Sequence, residues 1–305
     1  MVTTLRSLYR TLRFLVRHPV SARRPWVPLF TFARWQLGKR LHLIRRPIRA
    51  ALVNSAQILV DARHGDSVAV LYTGLPEFWD IGLALHLLRA DDLFVDCGAN
   101  VGTYSIAAAA AAGASCVAVE PVPSSYAALL ANVALNRLGE RVTCVNVALG
   151  RAPGTVHMTS GHDVCNHVVE RREEDDVGCV VDVPCRSLDE VLAGRHPTLI
   201  KIDVEGYELA VLDGAAAALA DPDLLAVILE LNGSGQRFGC PDRVVHERML
   251  ALGFETVFYS ALTRTLTSLG RKQSGYGNTV YVRHEARVRE RLRTAATFSC
   301  RGRAF

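Results

Sequence analysis

Short apolar runs alternate with helix-like segments from residue 93 to residue 232. Consecutive apolar residues at Leu93, Phe94 and Val95 are typical of a strand buried on both faces. Similar runs follow at 115–119, 141–149, 198–208 and 224–232. The segments between them, among them 124–138 and 208–219, carry apolar residues at helical spacing. This alternation predicts an α/β fold with a doubly wound, mostly parallel sheet.

The pattern changes after residue 150. Strand-like runs at 154–160 and 178–184 flank a highly charged loop, which predicts an antiparallel β-hairpin inserted between the third and fourth parallel strands. Two late runs, at 256–260 and 279–283, predict an antiparallel edge of the sheet. The chain has 305 residues, half of them hydrophobic, which is enough for one sizeable core.

A turn with two glycines follows the first strand. Gly98 and Gly102 let the backbone turn sharply and approach a ligand at the start of a helix. The turn differs from the dinucleotide fingerprint G-x-G-x-x-G, because Asn100 takes the place of the second glycine. Asp96, two positions before Gly98, would repel a pyrophosphate. It suits a ligand whose near end carries an ammonium, such as S-adenosylmethionine (SAM).

An acidic residue also ends the second strand. Glu120 follows Gly102 by eighteen residues, the spacing at which doubly wound folds place an acid that binds ribose hydroxyls. The alternative is a surface glutamate that caps a strand.

Further polar residues end the fourth and fifth strands. Lys201, Asp203 and Glu205 come at the end of the fourth strand, and Glu230 and Asn232 at the end of the fifth. Ligands of open α/β sheets bind at this carboxyl edge. Because charged groups are costly to assemble there without a task, we interpret them as functional.

Together these segments resemble the FkbM-type family of SAM-dependent methyltransferases, over roughly residues 70–260. The resemblance is carried by DLFVDCGANVGTYS, AVEPVPSSYAALLANVALN, VNVALG, CNHV, IKIDVEGYE and ILELN. It implies a class I methyltransferase (Rossmann-like) fold and SAM as the methyl donor. The reaction it implies is O-methylation of a hydroxyl on a sugar, a lipid-linked compound or a secondary metabolite.

The resemblance also implies roles for individual residues. The methionine part of SAM would be held by Asp96, Gly98, Asn100 and Gly102. Glu120 would hold the ribose, and the turn from Asn146 to Leu149, which includes Ala148, would flank the adenine. The catalytic candidates are Asp203 and Glu205 as general base, with His167 as an alternative base. The substrate contacts would be Asn166, Lys201, Glu230 and Asn232.

Three alternatives are consistent with the sequence. A carboxylate is a weak base for an isolated hydroxyl, so the acids could instead hold a divalent cation, although we assign no metal ligand. A nucleotide-cofactor oxidoreductase could use a similar sheet, and a non-catalytic SAM-binding or scaffold protein could keep the fold. The sequence identifies neither the acceptor nor the oligomeric state, and it does not separate O- from N-methylation.

Charge is distributed unevenly along the chain. Residues 1–60 contain twelve Lys and Arg and no acid, whereas the remainder has 23 Lys and Arg against 30 Asp and Glu. In the first predicted helix, four arginines lie on one side and a leucine-rich stripe on another. We therefore predict a basic helical extension over 1–60, a methyltransferase domain over 61–285 and a basic tail over 286–305.

The extension has three interpretations: an arm on an anionic membrane surface, a packed helical segment with a solvated basic face, or a transit peptide. No run approaches the roughly twenty apolar residues of a membrane span. The eight cysteines form no C-x-x-C pair, which indicates free thiols in a reduced compartment. We expect a cytoplasmic protein, peripheral at most at the inner face of the membrane. Its partner would be a small-molecule, glycan or lipid-linked acceptor, and we expect no nucleic acid.

Overall fold

The computed structural model describes residues 2–22, 24–62, 64–160, 167–169, 179–271 and 277–305. Its α-helices are α1 (Val2–Arg17), α2 (Trp26–Arg40), α3 (Gly65–Thr73), α4 (Phe78–Leu87), α5 (Thr103–Ala107), α6 (Pro123–Leu135), α7 (Leu188–Leu192), α8 (Glu208–Asp213), α9 (Ala216–Ala220), α10 (Asp242–Ala251) and α11 (Glu285–Arg293). A π-helical segment, Ala108–Ala112, continues α5, and 3-10 turns lie at Pro19–Ser21 and Ser234–Phe238.

The strands are β1 (Ile48–Ala51), β2 (Gln57–Val60), β3 (Leu93–Cys97), β4 (Ser115–Val119), β5 (Val142–Val145), β6 (Ala148–Leu149), β7 (Gly154–Ser160), β8 (Val168–Val169), β9 (Cys179–Arg186), β10 (Leu199–Ile202), β11 (Ala226–Glu230), β12 (Glu255–Ser260), β13 (Thr265–Ser268), β14 (Asn278–Val282), β15 (Ser299–Cys300) and β16 (Arg303–Ala304).

The main sheet has eight strands in the order β13-β12-β14-β11-β10-β3-β4-β5. Strands β11, β10, β3, β4 and β5 run parallel, and β14, β12 and β13 are joined antiparallel. This confirms the predicted doubly wound sheet with an antiparallel edge, to which β13 adds a strand that we did not predict. The strand order reverses between β3 and β10, the point where open α/β sheets bind ligands.

Both faces of the parallel strands are buried, as their continuous apolar character predicted. On β3, Phe94 belongs to one core cluster, and Val95 and Cys97 belong to the cluster on the other side. The alternation of side chains along a strand therefore places Asp96 on the face of Phe94. Lys201 lies directly opposite Asp96 in the register of β10 and β3.

The predicted hairpin insertion is confirmed. Strands β7 and β9 pair antiparallel in a small sheet of order β6-β9-β7-β8. The strand predicted over 141–149 divides instead into β5 in the main sheet and β6 in the small one. Asn146 lies at the division, where its Nδ2 donates to the carbonyls of Glu120 and Pro121 at 2.7 and 2.9 Å.

The helix predicted over 208–219 is also divided, into α8 and α9. Gly214 lies between them, and a Cβ there would lie 2.1 Å from the carbonyl oxygen of Gly150. The carbonyl of Gly214 accepts the amide of Asp189 at 3.0 Å. This close approach of two backbones fixes the break.

Both ends of the chain contribute to the main core. The helical N-terminal region is confirmed, but β1 and β2 form an antiparallel hairpin within the predicted helical extension. Ile58 of β2 is fully buried in that core, and so are Val288 and Leu292 of α11. The division of the chain into three parts stays a prediction.

Within the described residues, no single helix combines the length and apolar character needed to cross a membrane. The segments Ser67–Thr73 and Phe78–Leu87 meet the length and composition test only as a pair, bent by 89°.

Candidate functional site

A cavity of about 450 Å³ opens at the carboxyl ends of β3, β4, β10 and β11. Its volume lies in the range of about 300–1,000 Å³ that is typical of small-molecule sites. Most of the predicted site residues line it: Asp96, Gly98, Asn100, Glu120, Ala148, Lys201, Asp203, Glu205 and Glu230. The sheet thus brings together residues that are up to 134 positions apart in the chain.

The glycine turn is held against the neighbouring strands by its backbone. The amides of Gly98 and Ala99 both donate to the carbonyl of Val119 at 2.9 Å. Gly98 has φ +82°, and a Cβ at this position would lie 1.8 Å from the carbonyl oxygen of Asp203. Glycine is therefore required here for two independent reasons, its backbone conformation and its contact with the Asp203 segment.

Glu120 fastens this turn to the end of β4. Its carboxylate accepts the amides of Asn100 and Val122 at 2.8 and 2.9 Å. The residue is only 5% exposed, so the alternative of a surface strand cap is wrong. Burial raises the pKa of Glu120 to about 7, although the two backbone hydrogen bonds act in the opposite direction.

Asp96 is almost fully buried in the floor of the cavity. Its Oδ2 accepts the amide and the hydroxyl of Ser105 at 3.2 and 2.7 Å. Its Oδ1 has no hydrogen-bond partner among the described residues. Burial raises the pKa of Asp96, and the nearby Lys201 opposes that rise. The site therefore offers a buried carboxylate oxygen to a cationic or hydrogen-donating ligand group.

Lys201 is a buried cation that organises the acceptor side of the cavity. Its Nζ lies 2.7 Å from Oδ2 of Asp203 and 4.9 Å from the ring centre of Tyr104. Burial alone would lower the pKa of Lys201, but Asp203, Asp96 and Glu77 outweigh burial and raise it. Lys201 therefore stays charged at neutral pH and cannot act as a base.

Among the three acids of the site, one has a lowered pKa and the other two have raised pKa values. Burial would raise the pKa of Asp203, but Lys201 and a hydrogen bond from Glu230 lower it, so Asp203 is ionised. Burial, followed by the charge of Asp203, raises the pKa of Glu230 to about 9, so its carboxyl is protonated at neutral pH. The same two causes raise the pKa of Glu205. Unequal pKa values of this kind are how carboxyl groups acquire separate acid and base roles.

These three acids also meet a geometric requirement for a cation site. One carboxylate oxygen from each of Asp203, Glu205 and Glu230 lies within 4.8 Å of the others. Lys201 already pairs with one of them, Asp203, at 2.7 Å. A divalent cation at these three acids is geometrically feasible.

Several predicted residues lie elsewhere. Gly102, Asn146, His167 and Asn232 are not among the residues that line the cavity. Asn146 binds the backbone after β4, and Oδ1 of Asn232 accepts the amide of Ser234 at 2.9 Å. The backbone of His167 pairs with Thr159, next to Val168 in the cavity wall. Asn166 lies outside the described residues.

A network that the sequence did not predict lies in the cavity wall beside Lys201. The hydroxyl of Tyr104 hydrogen-bonds Glu77, whose carboxylate also accepts Nδ2 of Asn278 at 2.8 Å. Asn278 donates as well to Asp80 at 3.1 Å, and burial raises the pKa of Asp80 to about 7. In the sequence, the feature that indicates this network is the pair of acids, Glu77 and Asp80, at the start of the apolar segment Phe78–Leu87.

The sequence profile described as "Methyltransferase FkbM domain" matches residues 96–269. A curated protein, Methyltransferase sdnD of Sordaria araneosa, is 29% identical over a region that covers 42% of this chain and 61% of that protein. This chain thus spans about 61% of the length of that relative. Similar solved structures include Methyltransferase FkbM from Methylobacillus flagellatus (17% identity, TM-score 0.44, 73% of this chain and 56% of that chain). Another is an O-methyltransferase from Bacillus cereus in complex with SAH (12% identity, TM-score 0.40, 68% and 80%).

Proposed function

Because this chain belongs to the methyltransferase FkbM family, we propose that its cavity binds SAM and that the methyl group is transferred to a hydroxyl of an acceptor at the Asp203–Glu205–Glu230 wall. The acceptor class we propose is a sugar, a lipid-linked compound or a secondary metabolite. Membership of a methyltransferase family argues against the oxidoreductase alternative.

The observation that carries the proposal is the unpartnered Oδ1 of Asp96. A buried polar atom without a hydrogen bond costs about 1–3 kcal/mol, so its place in a ligand cavity calls for a donor from the ligand. The ammonium of SAM is such a donor. Glu120 retains lone pairs for ribose hydroxyls, and Ala148 and Leu149 supply an apolar wall for the adenine.

The chain's own residues would then orient and deprotonate the acceptor. When bound, SAM supplies an electrophilic methyl group on its sulfonium. Asp203, held ionised by Lys201, would accept a hydrogen bond from the acceptor hydroxyl. Its low pKa makes it a weak base, so we assign removal of the hydroxyl proton to Glu205, whose pKa is raised.

The first test is titration calorimetry with SAM and with SAH, its demethylated product. We compare the intact chain with Asp96→Asn, which keeps the side-chain shape, and with Asp91→Asn, an exposed control in the turn that precedes the same strand. We expect Asp96→Asn to lose at least about tenfold in affinity and Asp91→Asn to bind normally. Equal binding by all three proteins, or none by the folded intact chain, would contradict the proposal. Binding without transfer to any acceptor fraction would favour the scaffold alternative.

A further inference from the structure

Exposed apolar side chains are concentrated at the N-terminal end of the described chain. Of the thirteen large hydrophobic residues that are exposed in the described parts of the chain, eleven lie between Leu8 and Ile48. The other two, Leu130 and Leu250, lie singly on α6 and α10. Single exposed apolar residues are normal in folded proteins, but such a cluster marks an interaction surface.

The helix α2 shows how this surface is built. Trp26, Phe30, Leu37 and Leu41 are 64%, 69%, 57% and 55% exposed, and at 100° per residue they fall within about 60° of one another. Trp35 lies on the opposite side of the helix and is buried in the main core. The helix therefore has one apolar face that stabilises the fold and a second apolar stripe that faces solvent.

This surface is held in a fixed position on the domain. Leu15 of α1 is fully buried, and α1 packs against α2. Just after α1, Nε2 of His18 lies 3.3 Å from the carbonyl of Pro76, and its ring packs edge-on against Phe78. Phe14 of α1 also lines the cavity described above. The helix that carries the stripe thus packs against α1, which contributes one residue to the cavity wall.

The charge around the stripe selects its partner. Residues 1–60 carry twelve cations and no acid, and Arg10, Arg13 and Arg17 are exposed on α1. A second copy would bring these unpaired cations together across a symmetric interface. A nucleic acid would neutralise the cations but leave the stripe in water. An anionic bilayer takes up both apolar side chains and arginines, as amphipathic interfacial helices do.

We propose that α1 and α2 dock the protein on an anionic membrane surface, with the stripe of α2 inserted among the lipid headgroups and the arginines of α1 bound to lipid phosphates. The remainder of the chain is net negative, with 23 Lys and Arg against 30 Asp and Glu. It is therefore repelled by the same surface, which orients the basic end toward the bilayer.

The experiment is co-sedimentation of the full chain with vesicles of phosphatidylcholine alone and with vesicles that contain about one third phosphatidylglycerol. One variant combines Phe30→Ser and Leu37→Ser. Its control is Leu250→Ser, at a leucine that is also exposed on a helix. A charge pair, Arg13→Gln and the exposed control Arg248→Gln, is measured in parallel. Thermal unfolding shows that each variant is folded.

We expect binding to the phosphatidylglycerol vesicles that is lost in the Phe30/Leu37 variant and kept in both controls. Arg13→Gln should weaken that binding about fivefold. The proposal is overturned if the intact chain binds neither vesicle, or if the Phe30/Leu37 variant binds as well as the intact chain. It is also overturned if the intact chain forms a dimer that does not bind vesicles and the Phe30/Leu37 substitutions dissociate that dimer. No SAM is present, so a negative result leaves the proposed methyl transfer untouched.

Discussion

Replacing Gly98 with alanine tests the close packing of the glycine turn against the acceptor side of the cavity. The added Cβ would lie 1.8 Å from the carbonyl oxygen of Asp203, and the backbone at Gly98 has φ +82°. Because the clash is with backbone, no side-chain rotation can relieve it. The substitution must therefore move either the turn or the Asp203 segment.

The free energy that Gly98→Ala costs has two parts, and an alanine substitution at a second glycine measures one of them alone. An alanine at positive φ costs about 1–2 kcal/mol, and overpacking adds about 1–3 kcal/mol. Gly113 has a similar φ of +78°, but a Cβ there would meet Cβ of Ala90 at 3.5 Å, an ordinary contact. Gly113→Ala should thus lose only the first part, and Gly98→Ala about 2–5 kcal/mol in total.

Urea unfolding of the intact chain and both variants measures these free energies, and calorimetry measures their affinity for SAM. We expect Gly98→Ala to unfold at lower urea than Gly113→Ala and to bind SAM more weakly. Equal unfolding midpoints for the two variants, together with unchanged SAM affinity in Gly98→Ala, would refute the packing argument.

Three further predictions concern titrating groups. Lys201→Met removes the cation that lowers the pKa of Asp203, so we expect transfer to fall at least about tenfold, with a smaller change in SAM affinity. The pKa of Glu230 is raised to about 9, so the free energy of unfolding linked to it falls as pH rises from about 4.5 through about 9. Glu230→Gln keeps a neutral side chain, so at about pH 9.5 we expect its free energy of urea unfolding to rise relative to that of the intact chain. Burial lowers the pKa of His18 to about 4, so about 3 kcal/mol of stability linked to this group is lost as pH falls from about 6.5 to 4. His18→Gln should lose less stability than the intact chain over that range.

Each of these predictions has a contradicting result. A Lys201→Met variant with normal transfer would show that the ion pair does not organise the acceptor site. A pH-independent stability difference for Glu230→Gln would show that its carboxyl is not protonated in the fold. If acid weakens His18→Gln as much as the intact chain, protonation of His18 does not cause the loss of stability in acid.

The cavity could be predicted from the sequence because its main residues follow parallel strands. Asp96, Glu120, Asp203 and Glu230 each stand at or just after the end of such a strand, and the carboxyl ends of parallel strands meet at one edge. Their partners could not be predicted in the same way. That Lys201 binds Asp203 rather than Asp96 depends on side-chain geometry.

The Glu77–Tyr104–Asn278 network joins three elements with separations of up to 201 residues. Local patterns carry no information about such contacts. The divided strand at Asn146 and the divided helix at Gly214 depend likewise on backbone contacts with distant segments. The residue types at both positions are compatible with a continuous strand and a continuous helix. Tertiary contacts divide each of these elements in two.

A crystal structure of the protein grown with SAH tests the assignment of this site most directly. We expect SAH in the cavity between the glycine turn and Glu120, with its amino group hydrogen-bonded to Oδ1 of Asp96 and its sulfur facing the wall of Asp203 and Glu205. SAH bound elsewhere, or in the cavity with its amino group away from Asp96, would contradict the assignment of this site.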